Sequence, residues 1–332
     1  MFIYDRDIRL SGMDLWLDAK RKKPFSFVSH AHADHSARHE RILATPATLA
    51  LARERRRIRR AKMKRPSRRE PVEVPLDYNA PMRLDGATVT LLPAGHILGS
   101  AQILVERGGR RLLYSGDFCH EATSAAEDIE IPTADTLIME CTYGLPEHRF
   151  PPRESTVEKL LAFVDEAFAD GLTPVLLCYA LGKGQEVLRI LTQQGYSAAV
   201  ESETYALART YESFGIAFGG YRLLDGGVKP GEVVITPNMR AVAAFTRGRP
   251  MRSAALTGWA IGGFSHRARS AHSAIPLSDH ADFDGLIDYA AAVKPEIIYI
   301  LHGPEEFGRH LREAGFRVGE LSEKASPQPG DK

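Results

Sequence analysis

Four apolar runs rich in β-forming residues each stop at a side chain that can bind a metal or move a proton. They are FSFVSHAH (25–32), ATVTLLPAGH (87–96), RLLYSGDF (111–118) and TLIMECTYG (136–144). Runs of this kind, ending in small or polar residues, read as core strands that deliver a site residue at their tips. Four strands thus point chemistry the same way. TVEKLLAFVDEAFADG (156–171) and GQEVLRILTQQG (184–195) carry apolar residues at helical spacing and finish in Gly, a common helix stop. PVLLCYA, GEVVIT and IIYIL read as further strands and EEFGRHLREAG (305–315) as a closing helix. The fold class is α/β.

The first strand tip is the densest. SHAHADHSARHE (29–40) holds four of the chain's 12 histidines together with Asp34 and Glu40. Strand alternation points His30 and His32 the same way, and the following turn brings Asp34 and His35 round to a second position. One motif therefore supplies ligands to two metals. Neutral imidazole with carboxylate favours a borderline cation such as zinc, with manganese or iron as alternatives. Four ligands do not complete two coordination shells. His96, Asp117 and His302, each where a β-run stops, are the further candidates. The opposing reading, a satisfied polar network without metal, fits the HxHxDH spacing poorly.

Composition excludes several classes. With 332 residues, 44% of them hydrophobic, the chain can bury one large core or two smaller ones, and it is neither disordered nor fibrous. Charges in MFIYDRDIRL occupy the place of a signal peptide's apolar run, and no apolar stretch reaches eighteen residues, so a cytoplasmic protein without membrane contact is expected. Cys119, Cys141 and Cys178 form no CxxC pair, which leaves buried free thiols as the reading. The tail EKASPQPGDK is expected to be disordered. Residues 53–69 hold eleven Lys/Arg against one Glu, while the formal charge of the whole chain is only +1. Such a run is either a solvated helix end or an electrostatic footprint for a polyanion, with Arg56, Arg57 and Arg60 as its candidate contacts.

HAHADH, AGHILGSAQ and SGDF together resemble the metallo-β-lactamase fold, an αββα sandwich with a dinuclear site on one edge. ECTYG, YALGKGQEVL, PLSDHADF and LHGPEEF resemble its β-CASP branch, whose members cut DNA or RNA. The short chain, TYGLPEHRFPP and YALGKGQ are most similar to the bacterial ligase-associated DNA exonucleases. The resemblance runs from LDAK to LHGP, nearly the whole chain. It implies His30, His32 and His96 on a first metal, Asp34, His35 and His302 on a second, and Asp117 bridging both. Asp18 would orient ligands from behind. Glu140 and His280 would form a carboxylate–imidazole pair, with His280 as general acid. By itself His280 reads equally as a core or cap histidine.

Lys183 with Gly182 opens a helix and reads either as a phosphate contact or as a plain exposed lysine. His39, His120, His148, His266, His272 and His310 match no motif and are expected at the surface or in loops. The resemblance also implies a discontinuous core, residues 1–145 and 262–332, with a β-CASP cap over 146–261. GWAIGGFSHRARSAHSAIPLSDH (258–280) is expected to be a mobile loop. The implied activity is a DNA exonuclease on single-stranded or frayed ends, with a DNA ligase or helicase as partner. An RNA-cleaving β-CASP enzyme is the alternative. An inactive nucleic-acid-binding relative would lack ligands, and none is missing. A small-molecule hydrolase would leave the cap motifs and the basic run without purpose.

Overall fold

Alternation along the strands decides the architecture. In β8 (Ala87–Pro93), β9 (Ala101–Arg107) and β10 (Arg110–Tyr114), Val89, Leu91, Ile103, Val105, Leu112 and Tyr114 enter one core. Leu92, Leu104 and Leu113, of opposite parity, enter another. A sheet with two apolar faces must be covered on both. The computed structural model, which describes residues 1–63, 69–239, 246, 248–261 and 271–321, provides both covers.

The first cover is a second sheet. Strands β1 (Phe2–Asp5), β2 (Asp7–Leu10), β3 (Trp16–Leu17), β4 (Phe25–Phe27), β5 (Arg41–Ala44) and β6 (Val72–Pro75) pair in chain order. Phe2, Leu10, Phe25, Phe27 and Leu43 from this sheet share the core of Val89 and Ile103. The other sheet adds β7 (Met82–Leu84), β11 (Thr136–Glu140) and β18 (Ile297–Leu301), in the order β18-β11-β10-β9-β8-β7.

Helices form the outer layers. Leu49 of α1 (Pro46–Met63) packs with Val28, Ile42 and Ala44 on the back of the first sheet. On the back of the second, Phe283, Leu286 and Tyr289 of the helix Phe283–Val293 join Phe307 and Leu311 of the helix Phe307–Glu313. This is the expected αββα sandwich. The chain splits into two compact units, and this one comprises residues 1–122, 126–145 and 280–332.

The second unit comprises residues 123–125 and 146–279 and has its own sheet. β12 (Thr173–Leu177), β13 (Ser197–Val200), β14 (Tyr221–Leu223), β15 (Glu232–Thr236), β16 (Met251–Leu256) and β17 (Ser273–Ile275) run parallel in the order β14-β13-β15-β12-β16-β17. TPVLL and EVVIT are continuous apolar runs because both faces of a parallel sheet are buried. α2 (Arg153–Ala169), α3 (Lys183–Gln193) and α4 (Ser202–Glu212) belong to this unit; the two helices of the first become α5 and α6. The expected boundary at residue 262 is too early. Ala254–Leu256 pairs with Ser273–Ile275, which draws the chain as far as Asp279 into the second unit. The expected loop at 258–280 begins instead with a helical turn, Gly258–Ala260, and ends in β17. Its centre, 262–270, and the tail lie outside the described residues.

Candidate metal centre

Strand direction gathers the candidate ligands. β3 and β4 are parallel, and so are β10, β11 and β18; β8 matches β10 because both oppose β9. The carboxyl ends of β3, β4, β8, β10, β11 and β18 lead to Asp18, the 30–35 turn, His96, Asp117, Glu140 and His302 respectively. Tight turns make this possible. Gly116, at φ +57°, lies where an added Cβ would stand 2.6 Å from the Ser29 Cβ. Asp18 (φ 40°) and His302 (φ 52°) adopt left-handed backbone without being glycine, a cost of about 1–2 kcal/mol each.

Asp18 organises the cluster from beneath. Buried, it accepts hydrogen bonds from the Ser29 amide (2.7 Å), the Ser29 hydroxyl (2.6 Å), His35 Nδ1 (2.9 Å) and the Tyr114 hydroxyl (3.0 Å). Burial first, then Asp18 and Asp117, push the Tyr114 hydroxyl well above the phenol range, which keeps it a donor. The single Ser29 proton goes to Asp18, so Ser29 Oγ accepts from His30 Nδ1 at 2.9 Å. His30 and His35 are thereby both fixed with Nδ1–H inward, and each Nε2 faces the cluster.

There the ring nitrogens converge. His32 Nδ1 lies 3.0 Å from His30 Nε2 and 3.1 Å from His96 Nε2. Nitrogens bound to a tetrahedral zinc at about 2.0–2.1 Å stand about 3.3–3.4 Å apart, so both separations are within a few tenths of an ångström of that spacing. Asp117 Oδ2 lies 3.3 Å from His35 Nε2 and 3.6 Å from His30 Nε2. Asp117 Oδ1 is buried without a hydrogen-bond donor, His302 Nδ1 standing 3.8 Å away. Among the described residues, three triads have ligand atoms within 4.8 Å of one another: His30, His32 and His96; His30, His35 and Asp117; His96, Asp117 and His280. Asp34, with a side chain 75% exposed, is at the rim, 3.9 Å from His35 Nε2. The donor set and the orphaned Asp117 oxygen fit a divalent metal.

Without a cation the cluster stores its charge unevenly. Burial, reinforced by His35, holds His30 well below the usual histidine value. Burial also opposes a charge on His35, but Asp117 and Asp18 outweigh it and raise His35 well above that value. For Asp117, burial would raise the pKa, yet His35, His302 and His30 hold it well below the carboxylate range.

Beside these ligands Glu140 accepts from the Phe118 amide (2.9 Å), the Thr142 amide (3.2 Å), the Thr142 hydroxyl (2.5 Å) and His280 Nδ1 (2.8 Å). The His280 ring, 4.4 Å from that of His96 between centroids, is held at Nδ1 by Glu140. Cys141 next to it is a poor nucleophile, since burial and then Glu140 push its thiol up to about 12. All three cysteines are free and buried, as the sequence indicates.

Other expected contacts stand elsewhere. Lys183 is neither exposed nor unpaired: it is 2% exposed, with Nζ 3.3 Å from Glu186 and 3.4 Å from Asp279 in the second unit. The amide of Gly182, the residue before α3, donates to Gln185 Oε1 (2.8 Å). Both are engaged within their own unit. The basic run is largely helical, and Arg56 pairs with Glu70 and Glu73, Arg57 with Glu54, and Arg60 with Glu70. His39 and His148 lie in loops, as expected, but are buried there rather than at the surface, and the Lys23 amide donates to His39 Nδ1 at 3.2 Å. His266 lies outside the described residues. Sequence reasoning missed Ser29, Tyr114 and Thr142, and also Arg55, which donates to the Ala31 carbonyl inside the HxHxDH turn. A hydroxyl directly before HxHxDH and another two residues after Glu140 were the available signals.

Comparisons with known proteins bear on the family and the fold. A family described as Zn-dependent metallo-hydrolase RNA specificity domain matches residues 267–319. A probable DNA ligase of Opitutus terrae is 39% identical over 324 residues, covering 96% of this chain and 31% of that protein. The endoribonuclease YSH1 of Eremothecium gossypii is 36% identical over 120 residues, 36% of this chain and 15% of that one. The chain thus spans about a third or less of the length of these relatives. A crystal structure of a protein of unknown function from Enterococcus faecalis V583 aligns with a TM-score of 0.63 at 15% identity, covering 92% of this chain and 80% of that one. The sandwich, the histidine–aspartate cluster and these relatives place the chain among the Zn-dependent metallo-hydrolases of the metallo-β-lactamase fold, in the β-CASP branch.

Proposed function

We propose that the chain is a dinuclear-metal phosphodiesterase, an exonuclease that shortens DNA from single-stranded or frayed ends during repair in the cytoplasm. The observation that carries this reading is the Glu140–His280 pair at 2.8 Å beside the His30, His32, His96 and Asp117 cluster. His30, His32 and His96 would hold one ion, Asp34, His35 and His302 the other, and Asp117 both. Two divalent ions, zinc first and manganese as alternative, would supply hydroxide at neutral pH and offset phosphate charge.

The chain's own residues do the rest. As a water oxygen bonds to phosphorus and the ester P–O bond breaks, the leaving oxygen takes the Nε2 proton of His280. The products are a phosphate monoester and a free hydroxyl. Glu140 keeps the other ring proton in place and stabilises the ring while it is charged. Asp18 holds His35 and, through Ser29, His30.

The Opitutus terrae relative, named a probable DNA ligase, supports DNA as substrate and a ligase as partner, with a helicase as the second candidate. Residues 53–63 of α1 carry seven Lys/Arg against Glu54, a surplus that suits a polyanion even with Glu70 and Glu73 alongside. No helix among the described residues is long and apolar enough to cross a membrane. RNA cleavage is the second reading, favoured by the matched RNA specificity domain and the YSH1 endoribonucleases. Matched 5′- and 3′-labelled DNA and RNA strands, incubated with metal-loaded protein, separate them. Stepwise shortening of DNA with RNA spared supports the first reading, and cleavage of RNA alone transfers the assignment to the second.

A further inference from the structure

The buried charges of the second unit have no part in the chemistry above, and they surround the chain just before His280. Arg153 at the start of α2 pairs with Glu186 of α3 and donates through NH1 to the Ser278 carbonyl at 3.1 Å. Lys183 bridges Glu186 (3.3 Å) and Asp279 (3.4 Å). The side chains of Lys183 and Glu186 are 2% and 3% exposed, those of Arg153 and Asp279 14% and 15%. Two cations and two anions balance. Burying four charges brings heavy desolvation, and an apolar replacement of the same volume is often as stable. What an ionic group adds is direction. Here both cations reach one dipeptide, Ser278–Asp279, and the next peptide bond leads to His280.

We propose that Lys183, Glu186 and Arg153 clamp residues 278–279 and act as positioning residues for His280; the inference rests on His280 being the general acid of the proposed phosphodiesterase. Glu140 orients the His280 ring and the Ala281 amide, bonded to the Phe118 carbonyl at 2.9 Å, fixes the chain after it. The clamp fixes the chain before it. Loss of the clamp lets the ring drift, and a displacement near 1 Å can lower a rate by about 10²-fold.

The test exploits the leaving group. An alkoxide leaving from DNA needs the His280 proton, whereas p-nitrophenolate leaving from bis(p-nitrophenyl) phosphate does not. Lys183→Met and Arg153→Met, with His280→Ala as benchmark, are assayed on both substrates after their metal content and melting temperature are measured. The expected result is a roughly 10–100-fold fall in kcat on labelled DNA with KM nearly constant, and less than about threefold on the nitrophenyl ester, the benchmark's pattern in weaker form. Equal loss on both substrates, or none on DNA, overturns the clamp. Should Lys183→Met not fold, Arg153→Met decides by the same criteria. If His280→Ala itself loses both substrates equally, or wild-type protein cleaves neither, the proposed function fails and not the clamp alone.

Discussion

Asp18 orders the candidate metal ligands His30 and His35 by hydrogen bonds. Its Oδ2 accepts from Ser29, His35 and Tyr114, so one carboxylate fixes the tautomer of His35 directly and of His30 through a hydroxyl. Replacing it with Ala leaves four buried donors unpaired and both rings free to turn. Asp18→Ala is therefore expected to lower zinc affinity by roughly 10–100-fold, as measured by competition with a chromogenic chelator. An unchanged affinity would reduce Asp18 to a structural role. At this scale the candidate ligands stand out in the sequence because HxHxDH and the strand-end His and Asp carry their chemistry in their spacing. Lys183 does not. A lysine at a helix start looks solvated, and its burial depends on Asp279, ninety-six positions away, whose proximity only the fold creates.

Among the elements, the first strands are tied by Asp7 at the start of β2. It accepts from the Lys20 amide (3.0 Å) and Arg21 Nε (3.0 Å) and pairs with Lys23 at 2.8 Å, binding the loop after β3 to the sheet. Burial would raise its pKa, but Lys23, the Lys20 amide and Arg21 outweigh it and lower it from 3.8. With the folded value below the unfolded one, this stabilisation is complete above pH 3.8 and fades as pH falls through the lower folded value. Asp7→Asn should cost about 1–3 kcal/mol in urea unfolding at pH 7, and the difference from wild type should shrink only below about pH 4. A difference that stays constant down to pH 2 would contradict the pairing.

Helix α1 makes the opposite case, an element whose partners lie on the surface. Surface pairs such as Arg57–Glu54 contribute little, so a phosphate can take over the arginines. Changing Arg56, Arg57 and Arg60 to Gln is expected to flatten the log–log salt dependence of single-stranded DNA binding by about 2. An unaltered slope would confine these arginines to their glutamates. The strands that end at the site were readable from apolar runs. The Arg run was readable as a helix end, and the buried residues of its helix, Ala47, Thr48, Leu49, Leu51 and Ala52, all precede it.

For the whole molecule, the residue pattern gave an α/β chain, the resemblance implied the αββα sandwich and the inserted cap, and the inner boundary shifted for a physical reason. Ser273–Ile275 is too short and too rich in small residues to announce itself, yet it completes a parallel sheet beside β16. The proposed hydrolysis of phosphodiesters requires two metals held by this cluster, with Asp117 shared between them. It is tested most directly by titrating zinc into metal-free wild-type and Asp117→Ala protein while following both bound metal and the shortening of end-labelled DNA. Wild-type activity is expected to rise with the second bound equivalent, and Asp117→Ala to be inactive. Full activity with a single equivalent, or turnover by Asp117→Ala carrying two, would contradict it.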